Sequence, residues 1–299
     1  MEEEKDMSFL EHLEAFRWHL IRSVIAILLF AILIFLFPEI IFSKVLLAHL
    51  DPDFATYKIT CKLSNLFGMS DALCLKKPPV LLQNISMTGQ FYTHITTSII
   101  GGFILSFPYV LWEVWRFIRP ALYDKESKFA KGMVFFGSVL FLLGILFGYY
   151  IISPVSINFL GSYQVSAMTI GENPILVNKI TLTSYIYTVS ALTLANGIIF
   201  ELPILVYILS KIGIITPEFM RKYRKHALVL ALVLSAIITP PDVMSQILVS
   251  FPLIILYEIG IKISSRVVKN QDKSPTFCNH KRSACLPQQL PKEVKLRIA

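Results

Sequence analysis

The sequence predicts an all-α integral membrane protein with six transmembrane helices, and three observations support this fold class. Of the 299 residues, 55% are apolar and only 16% are charged, and the mean hydropathy is +0.63. Soluble domains contain about 45–50% apolar and about 25% charged residues, so the surplus apolar side chains must face lipid. The other two observations are a series of six apolar runs and an uneven distribution of Lys and Arg between them.

The first four apolar runs are each long enough to cross about 30 Å of hydrocarbon as a helix. They cover residues 20–37, 91–112, 133–152 and 184–210. Ahead of the first run, Ser8 and Glu11 have the spacing of a capping box, which predicts either an amphipathic surface helix or an extension of the first span. In the third run, Gly144 and Gly148 form a G-x-x-x-G motif, which is typical of closely packed helices.

The last two runs, residues 227–239 and 244–261, are short and are separated by two prolines. A helix over the first of them extends only about 20 Å, which is less than the hydrocarbon thickness. Two short spans and a re-entrant hairpin both return the chain to the same side, so the loop charges do not separate these alternatives. We favour two short spans, which gives six crossings.

The distribution of Lys and Arg sets the orientation. If the runs alternate in direction, 22 of the 28 Lys and Arg fall on one side, which the positive-inside rule assigns to the cytoplasm. Both termini then lie in the cytoplasm, the membrane domain covers residues 1–265, and residues 266–299 form a polar tail that we predict to be disordered. No cleavable signal or transit peptide is recognisable. The net charge of +8 is explained by this topology, so we expect no nucleic-acid partner.

Glu201 is the most informative polar residue within a span. It lies ten residues before Lys211, which places it about 15 Å deep. A carboxylate at that depth is either protonated and hydrogen-bonded to a neighbouring helix, or part of a functional polar recess. His94 in the second span is a candidate partner, although it also suits an interfacial position.

Three further polar residues lie within the sixth run or directly before it. Asp242 precedes it and suits a helix N-cap, while Asp242 and Gln246 also form a polar pair, four residues apart, that could bind a partner helix. Glu258 is expected to extend to the interface or to pair with Lys262.

Two loops contain further candidates. The segment from Glu113 to Glu126 mixes aromatic, basic and acidic residues, which is typical of an interfacial belt but also offers carboxylates to a cationic peptide. Cys61 and Cys74 lie in the first outer loop, where an oxidising compartment permits a disulfide, and spacing alone does not decide whether they pair. We find no nucleotide-binding loop, catalytic triad or metal-ligand cluster, so we expect no enzyme, cofactor or metal site.

Several motifs, in order along the chain, resemble the TatC family, the C subunit of the twin-arginine protein translocase. The matching segments are Phe9–Glu14 with Arg17, Pro108 through Trp115–Tyr123 with Glu126, Phe147–Pro154, Phe200–Pro203, Thr216–Glu218, and Thr239–Asp242 with Ser245 and Gln246. The resemblance implies a glove-shaped, concave bundle in the cell inner membrane. It also implies that the protein is a receptor that exports folded cargo with the proton motive force, in a multi-copy complex with single-span TatA/TatB-type subunits.

The resemblance also assigns roles to particular residues. Binding of twin-arginine signal peptides falls to Glu126, with Phe117, Pro120 and Leu122 shaping the loop and Arg17 in the N-terminal segment. Glu201 corresponds to the buried family acid, and Asp242 and Gln246 correspond to contacts with partner subunits.

This chain departs from the family pattern before its first span. A glutamate of the family falls on Ala15, so that only Glu14 remains, about 100° around the helix. An alternative function, suggested by the physics of Glu201 alone, is a proton-coupled secondary transporter that uses this carboxylate as its proton site.

Overall fold

The computed structural model describes residues 9–66, 74–75, 80–118, 127–162, 169–170, 173–174, 179–239 and 243–272. Their secondary structure is mainly helical. The helices are α1 (Phe9–Phe35), α2 (Ala55–Leu66), α3 (Gly89–Ile118), α4 (Ser127–Phe147), α5 (Ser153–Ser162), α6 (Leu182–Phe200), α7 (Leu202–Lys211), α8 (Pro217–Lys222), α9 (Arg224–Ile238) and α10 (Val243–Asp272).

Two wide π-helical turns and four short strands complete these elements. One π-helical turn, Ile40–Leu46, continues as a 3₁₀ turn over Leu47–Leu50, and the other, Gly148–Ile152, joins α4 to α5. Strand β1 (Leu81–Gln83) pairs in parallel with β4 (Lys179–Thr181), and β2 (Thr169–Ile170) pairs antiparallel with β3 (Asn173–Pro174).

Within the described residues, five helical stretches are long and apolar enough to cross a membrane, which shows a multi-pass membrane protein. They are Glu14–Phe35, Gly89–Ile118, Gly132–Ser162, Leu182–Lys211 and Ser245–Lys269. Many of their large apolar side chains are exposed, as lipid contact requires; Ile25, Leu29 and Ile32 on α1 are each about 60% exposed. The predicted fifth span corresponds to α9, whose 15 residues extend only about 22 Å, so the sixth crossing remains a prediction.

Helices α1 and α3 pack closely because α3 contains two adjacent glycines. A Cβ added to Gly102 would lie 2.6 Å from the backbone nitrogen of Ala31, and one added to Gly101 would lie 2.7 Å from Ile34 Cδ1. The two helices run antiparallel, since Phe16 contacts Phe117 at one end and Phe35 stacks on His94 at the other.

Helices α4 and α6 also pack through glycines, as the G-x-x-x-G motif predicted. A Cβ on Gly144 would lie 2.6 Å from the Asn196 carbonyl oxygen, and one on Gly148 would lie 3.0 Å from the Thr193 Cα. The prediction of close helix packing at this motif is therefore confirmed. Two buried clusters surround this contact; the first contains Ile152, Leu192, Ile199, Val249, Leu253 and Leu256, and the second contains Leu46, Ile157, Tyr185, Ile186 and Val189.

The two π-helical turns are joined by hydrogen bonds at the end of the bundle that contains α2. The bonds run in both directions: His49 and Thr56 donate to the carbonyls of Tyr149 and Tyr150, while Tyr149 and Tyr185 donate to those of Val45 and Leu46. A wide turn leaves backbone carbonyls without helical partners, and side chains supply the missing donors here. We call this group of seven residues the reciprocal clasp.

Candidate functional site

At the N-terminal end of the bundle, the last turn of α3 lies against the first turns of α1. The Phe117 ring is 5.2 Å from the Phe16 ring and 6.1 Å from the His19 ring, measured between centroids. Glu14 and Arg17, on either side of Phe16 in the sequence, are exposed. The structure therefore places Phe117, at the C-terminal end of α3, beside the N-terminal segment. The other residues predicted for that loop, Pro120, Leu122 and Glu126, lie outside the described residues.

One turn further into the bundle, a buried carboxylate joins α1 to α3. Glu113 Oε2 lies 2.5 Å from His19 Nδ1, and the Tyr109 hydroxyl donates to Glu113 Oε1 over 2.9 Å. The Glu113 side chain is 3% exposed and that of His19 is 17% exposed. Both carboxylate oxygens are therefore satisfied, which is the condition under which a buried acid is tolerated.

Sequence analysis missed this network. Glu113 was grouped with the following loop, and neither His19 nor Tyr109 was singled out. A signal was present, however, because Tyr109 and Glu113 are four residues apart and share one face of a helix that continues to Ile118. The location of His19 across the helix interface could not be deduced from spacing.

Glu201 lies at a break between α6 and α7. The break follows from Pro203, which has no N–H to donate to the Ile199 carbonyl four residues earlier. The Glu201 N–H donates to that carbonyl, and the Glu201 carbonyl starts α7 by accepting from the amides of Ile204 and Leu205. Around the carboxylate, Gly137 of α4 leaves space, since a Cβ there would lie 3.3 Å from Glu201 Oε2.

The Glu201 carboxylate has an unpaired oxygen. Oε1 is buried and has no hydrogen-bond partner within the described part of the chain. His94 is not its partner, since the His94 ring stacks on Phe35 at 4.1 Å between centroids. A buried carboxylate with a free acceptor can hold a proton or receive a hydrogen bond from a ligand, and this geometry favours the polar recess over a bond to a neighbouring helix.

Two residues of α10 bind neighbouring helices of this chain. The Gln246 amide nitrogen donates to the Leu232 carbonyl of α9 over 3.3 Å. Glu258 pairs with Arg224, at 2.9 Å, so of the two alternatives predicted for it the pairing with Lys262 was wrong, while extension to the interface stays a prediction. Arg224 begins α9, and sequence spacing within one helix could not reveal a partner on another. Asp242 lies outside the described residues.

The opposite end of the bundle contains a disulfide between Cys61 of α2 and Cys74. Close to it, Tyr57 donates to the His49 carbonyl over 2.7 Å, and burial raises the pKa of Tyr57 to about 12. Burial also lowers the pKa of His49, although the carbonyls of Tyr149 and Leu46 oppose the shift. His49 is therefore held as neutral imidazole. Among the described residues, no group of three or more His, Cys, Asp or Glu could hold a metal ion.

The fold and these groups define a multi-pass helical membrane protein with one buried acid at one end of the bundle, Glu113, and another at a break within a span, Glu201. The chain belongs to the TatC family: the family described as "Sec-independent protein translocase protein (TatC)" matches residues 11–252. It is thus a subunit of a protein translocase, a transport component that works in a complex.

Individual relatives match almost the whole chain. The TatC protein of Blattabacterium sp. subsp. Periplaneta americana is 39% identical over 270 residues, which are 90% of this chain and 99% of that protein. The TatC protein of Aquifex aeolicus is 34% identical over 272 residues, covering 90% of this chain and all of that protein. A crystal structure of the twin arginine translocase receptor TatC superimposes with a TM-score of 0.63 at 34% identity, covering 86% of this chain and 100% of that one.

Proposed function

We propose that this chain is the receptor and core subunit of a twin-arginine translocase, which binds twin-arginine signal peptides and exports folded proteins with the proton motive force. The observation that carries this proposal is its similarity, over 86% of its length, to a solved twin arginine translocase receptor. The contact of Phe117 with Phe16 supports it, because it brings together the two segments from which the binding surface is formed.

Recognition of paired arginines requires carboxylates at the N-terminal end of the bundle. A guanidinium binds a carboxylate through two parallel hydrogen bonds, which an ammonium cannot do, so arginine is favoured over lysine. We assign this role to Glu126, with Phe117, Pro120 and Leu122 shaping the loop. Glu14 and Arg17 are exposed on α1 near Phe16, which contacts Phe117, and Glu14 directly precedes Ala15 in the sequence.

The topology proposed for this function has six crossings, with residues 1–265 in the membrane domain and residues 266–299 in a cytoplasmic tail. Both termini then lie in the cytoplasm and the disulfide faces the exterior of the inner membrane, where thiols are oxidised. The helix α10 extends to Asp272, beyond the predicted boundary of the tail.

The apolar part of the signal peptide lies, in this proposal, along the concave face towards Glu201. The unpaired Glu201 oxygen offers an acceptor there. Asp242 and Gln246 face single-span TatA/TatB-type subunits, several copies of which assemble with this chain. One amide N–H of Gln246 is used within the chain, which leaves its carbonyl oxygen and second N–H for a partner.

The test is export of a folded reporter in cells that lack their own subunit but contain the partner subunits. A reporter with an Arg-Arg signal should be exported, and the same reporter with Lys-Lys should not. Glu126→Gln should reduce export, whereas Glu39→Gln, which removes an equal charge at the opposite end of the bundle, should not. Equal export of both signals, or export of neither, would contradict the proposal.

One observation favours the second candidate, a proton-coupled transporter, namely the unpaired oxygen of Glu201. This candidate requires solute uptake by the purified protein alone in vesicles with an imposed proton gradient, and Glu201→Gln should abolish it. The translocase proposal expects no uptake by the isolated subunit with or without the substitution.

A further inference from the structure

A cavity of about 400 Å³ opens between the helices in the half of the bundle that contains the reciprocal clasp. Helices α1, α3, α4 and α6 all contribute to it, and each belongs to a stretch long and apolar enough to cross a membrane. Its walls are mainly aliphatic, including Ile34, Ile104, Leu105 and Ile145. A hollow of this kind, between membrane helices, is filled by an apolar chain more favourably than by water.

Two threonines in the cavity wall have hydroxyl groups without partners. Thr97 is 6% exposed and Thr193 is 7% exposed, and within the described part of the chain neither hydroxyl makes a hydrogen bond. Threonines in helices commonly donate to the carbonyl four residues earlier. Thr93 and Thr188, on the same two helices, do so over 2.6 and 2.8 Å. Both residues line the cavity, so a ligand with acceptor atoms that enters it can satisfy these buried hydroxyl groups after a rotation of the threonine side chains.

A positive charge lies at the same cavity. Lys44, in the first π-helical turn, contributes to the wall and is exposed. No carboxylate of the described segments pairs with it. An ammonium group at the edge of an apolar cavity attracts a negatively charged headgroup.

We propose that this cavity binds one phospholipid with a net negative headgroup. Its acyl chain fills the aliphatic hollow, its ester carbonyls accept hydrogen bonds from Thr97 and Thr193, and its phosphate pairs with Lys44.

The dimensions and hydrogen-bonding groups favour lipid over a protein helix as the occupant. A helix is about 10 Å wide, so a cavity of this volume would hold only about one turn of it. The backbone carbonyls of a membrane helix are also used within the helix, whereas lipid esters have free acceptors.

The experiment compares the lipid retained by the purified full-length protein after exchange into mixed vesicles of phosphatidylglycerol and phosphatidylethanolamine, read by native mass spectrometry. The protein should retain one phosphatidylglycerol, and Lys44→Gln should lower its preference over phosphatidylethanolamine about fivefold. Replacing Thr97 and Thr193 together by valine should lower retention of both lipids about fivefold. Lys62→Gln and Thr188→Val, which change equivalent groups outside the cavity, should have no effect.

The double valine variant also distinguishes a binding role from a structural one. Removing two unsatisfied hydroxyls should leave the delipidated protein at least as thermally stable as the wild type while lipid retention falls. Equal retention by all variants would overturn the proposal. It would also be overturned if a photo-crosslinker at position 105 reacted with protein and not with lipid. The assay needs neither cargo nor partner subunits, so its result is independent of the proposed export function.

Discussion

The contact between His19 and Glu113 should be the strongest polar link between α1 and α3. It joins His19 Nδ1 to Glu113 Oε2 over 2.5 Å; the Glu113 side chain is 3% exposed and the His19 side chain is 17% exposed. Loss of a buried hydrogen bond to a charged group costs about 1.5–3 kcal/mol. We therefore expect Glu113→Gln to destabilise the protein by about 1.5–3 kcal/mol.

A double-mutant cycle isolates the pairwise energy. The single variants His19→Ala and Glu113→Gln and their combination should give a coupling energy of about 1.5–3 kcal/mol, as for hydrogen bonds to charged groups. The measurement is the free energy of unfolding of the purified protein in detergent. Tyr109→Phe removes the carboxylate's other bond, of 2.9 Å; because Tyr109 and His19 share Glu113 as their partner, its effect should not be additive with that of His19→Ala. A coupling energy below about 0.5 kcal/mol would refute the reasoning.

Three further predictions use the same unfolding measurement. Gly144→Ala should destabilise by about 1–3 kcal/mol because its Cβ would meet backbone at 2.6 Å, whereas Gly132→Ala, on the same helix with nothing within 4 Å, should be neutral or slightly stabilising. Burial lowers the pKa of His49, so as the pH falls the unfolded chain binds a proton before the folded protein does. The contribution of His49 to the free energy of unfolding should therefore be fully present above about pH 6.5 and decrease below it by at most about 1.4 kcal/mol per pH unit. His49→Gln should flatten this pH profile. Reduction of the Cys61–Cys74 disulfide should lower the free energy of unfolding by about 3 kcal/mol. A thiol reagent that does not cross membranes should label both cysteines in intact cells, but only after reduction. If neither cysteine is labelled after reduction, the proposed orientation, with this loop outside the inner membrane, is contradicted.

Membrane embedding and glycine packing were predictable because they depend on composition and on spacing within one helix. The runs at 91–112 and 184–210 correspond to α3 and to α6 with α7, although the helices extend further. Apolar runs mark only the part of a helix in hydrocarbon, whereas the backbone ladder continues into polar sequence. For the same reason α10 extends past the end of the run at 261.

Contacts between helices were predicted less well. The pairing of Glu258 with Arg224 and the stacking of His94 on Phe35 depend on which helix faces which, and this information is not contained in local spacing. The depth of Glu201 followed from counting residues, but its unpaired oxygen depends on the helices packed around it, such as α4 with Gly137. Of the residues predicted for recognition, Phe117, Glu14 and Arg17 lie within the described part of the chain, and their role in recognition stays a prediction.

The reciprocal clasp couples the backbone conformations of two stretches that are distant in the sequence, around residues 45 and 149. Each stretch supplies acceptors for donors on the other, so neither can change its winding without leaving carbonyls of both uncompensated. Amide protons in the two turns should accordingly exchange with solvent through a single shared opening event. A substitution that removes a side-chain donor in one turn should therefore loosen the other turn as well, although the two are about 100 residues apart in the sequence.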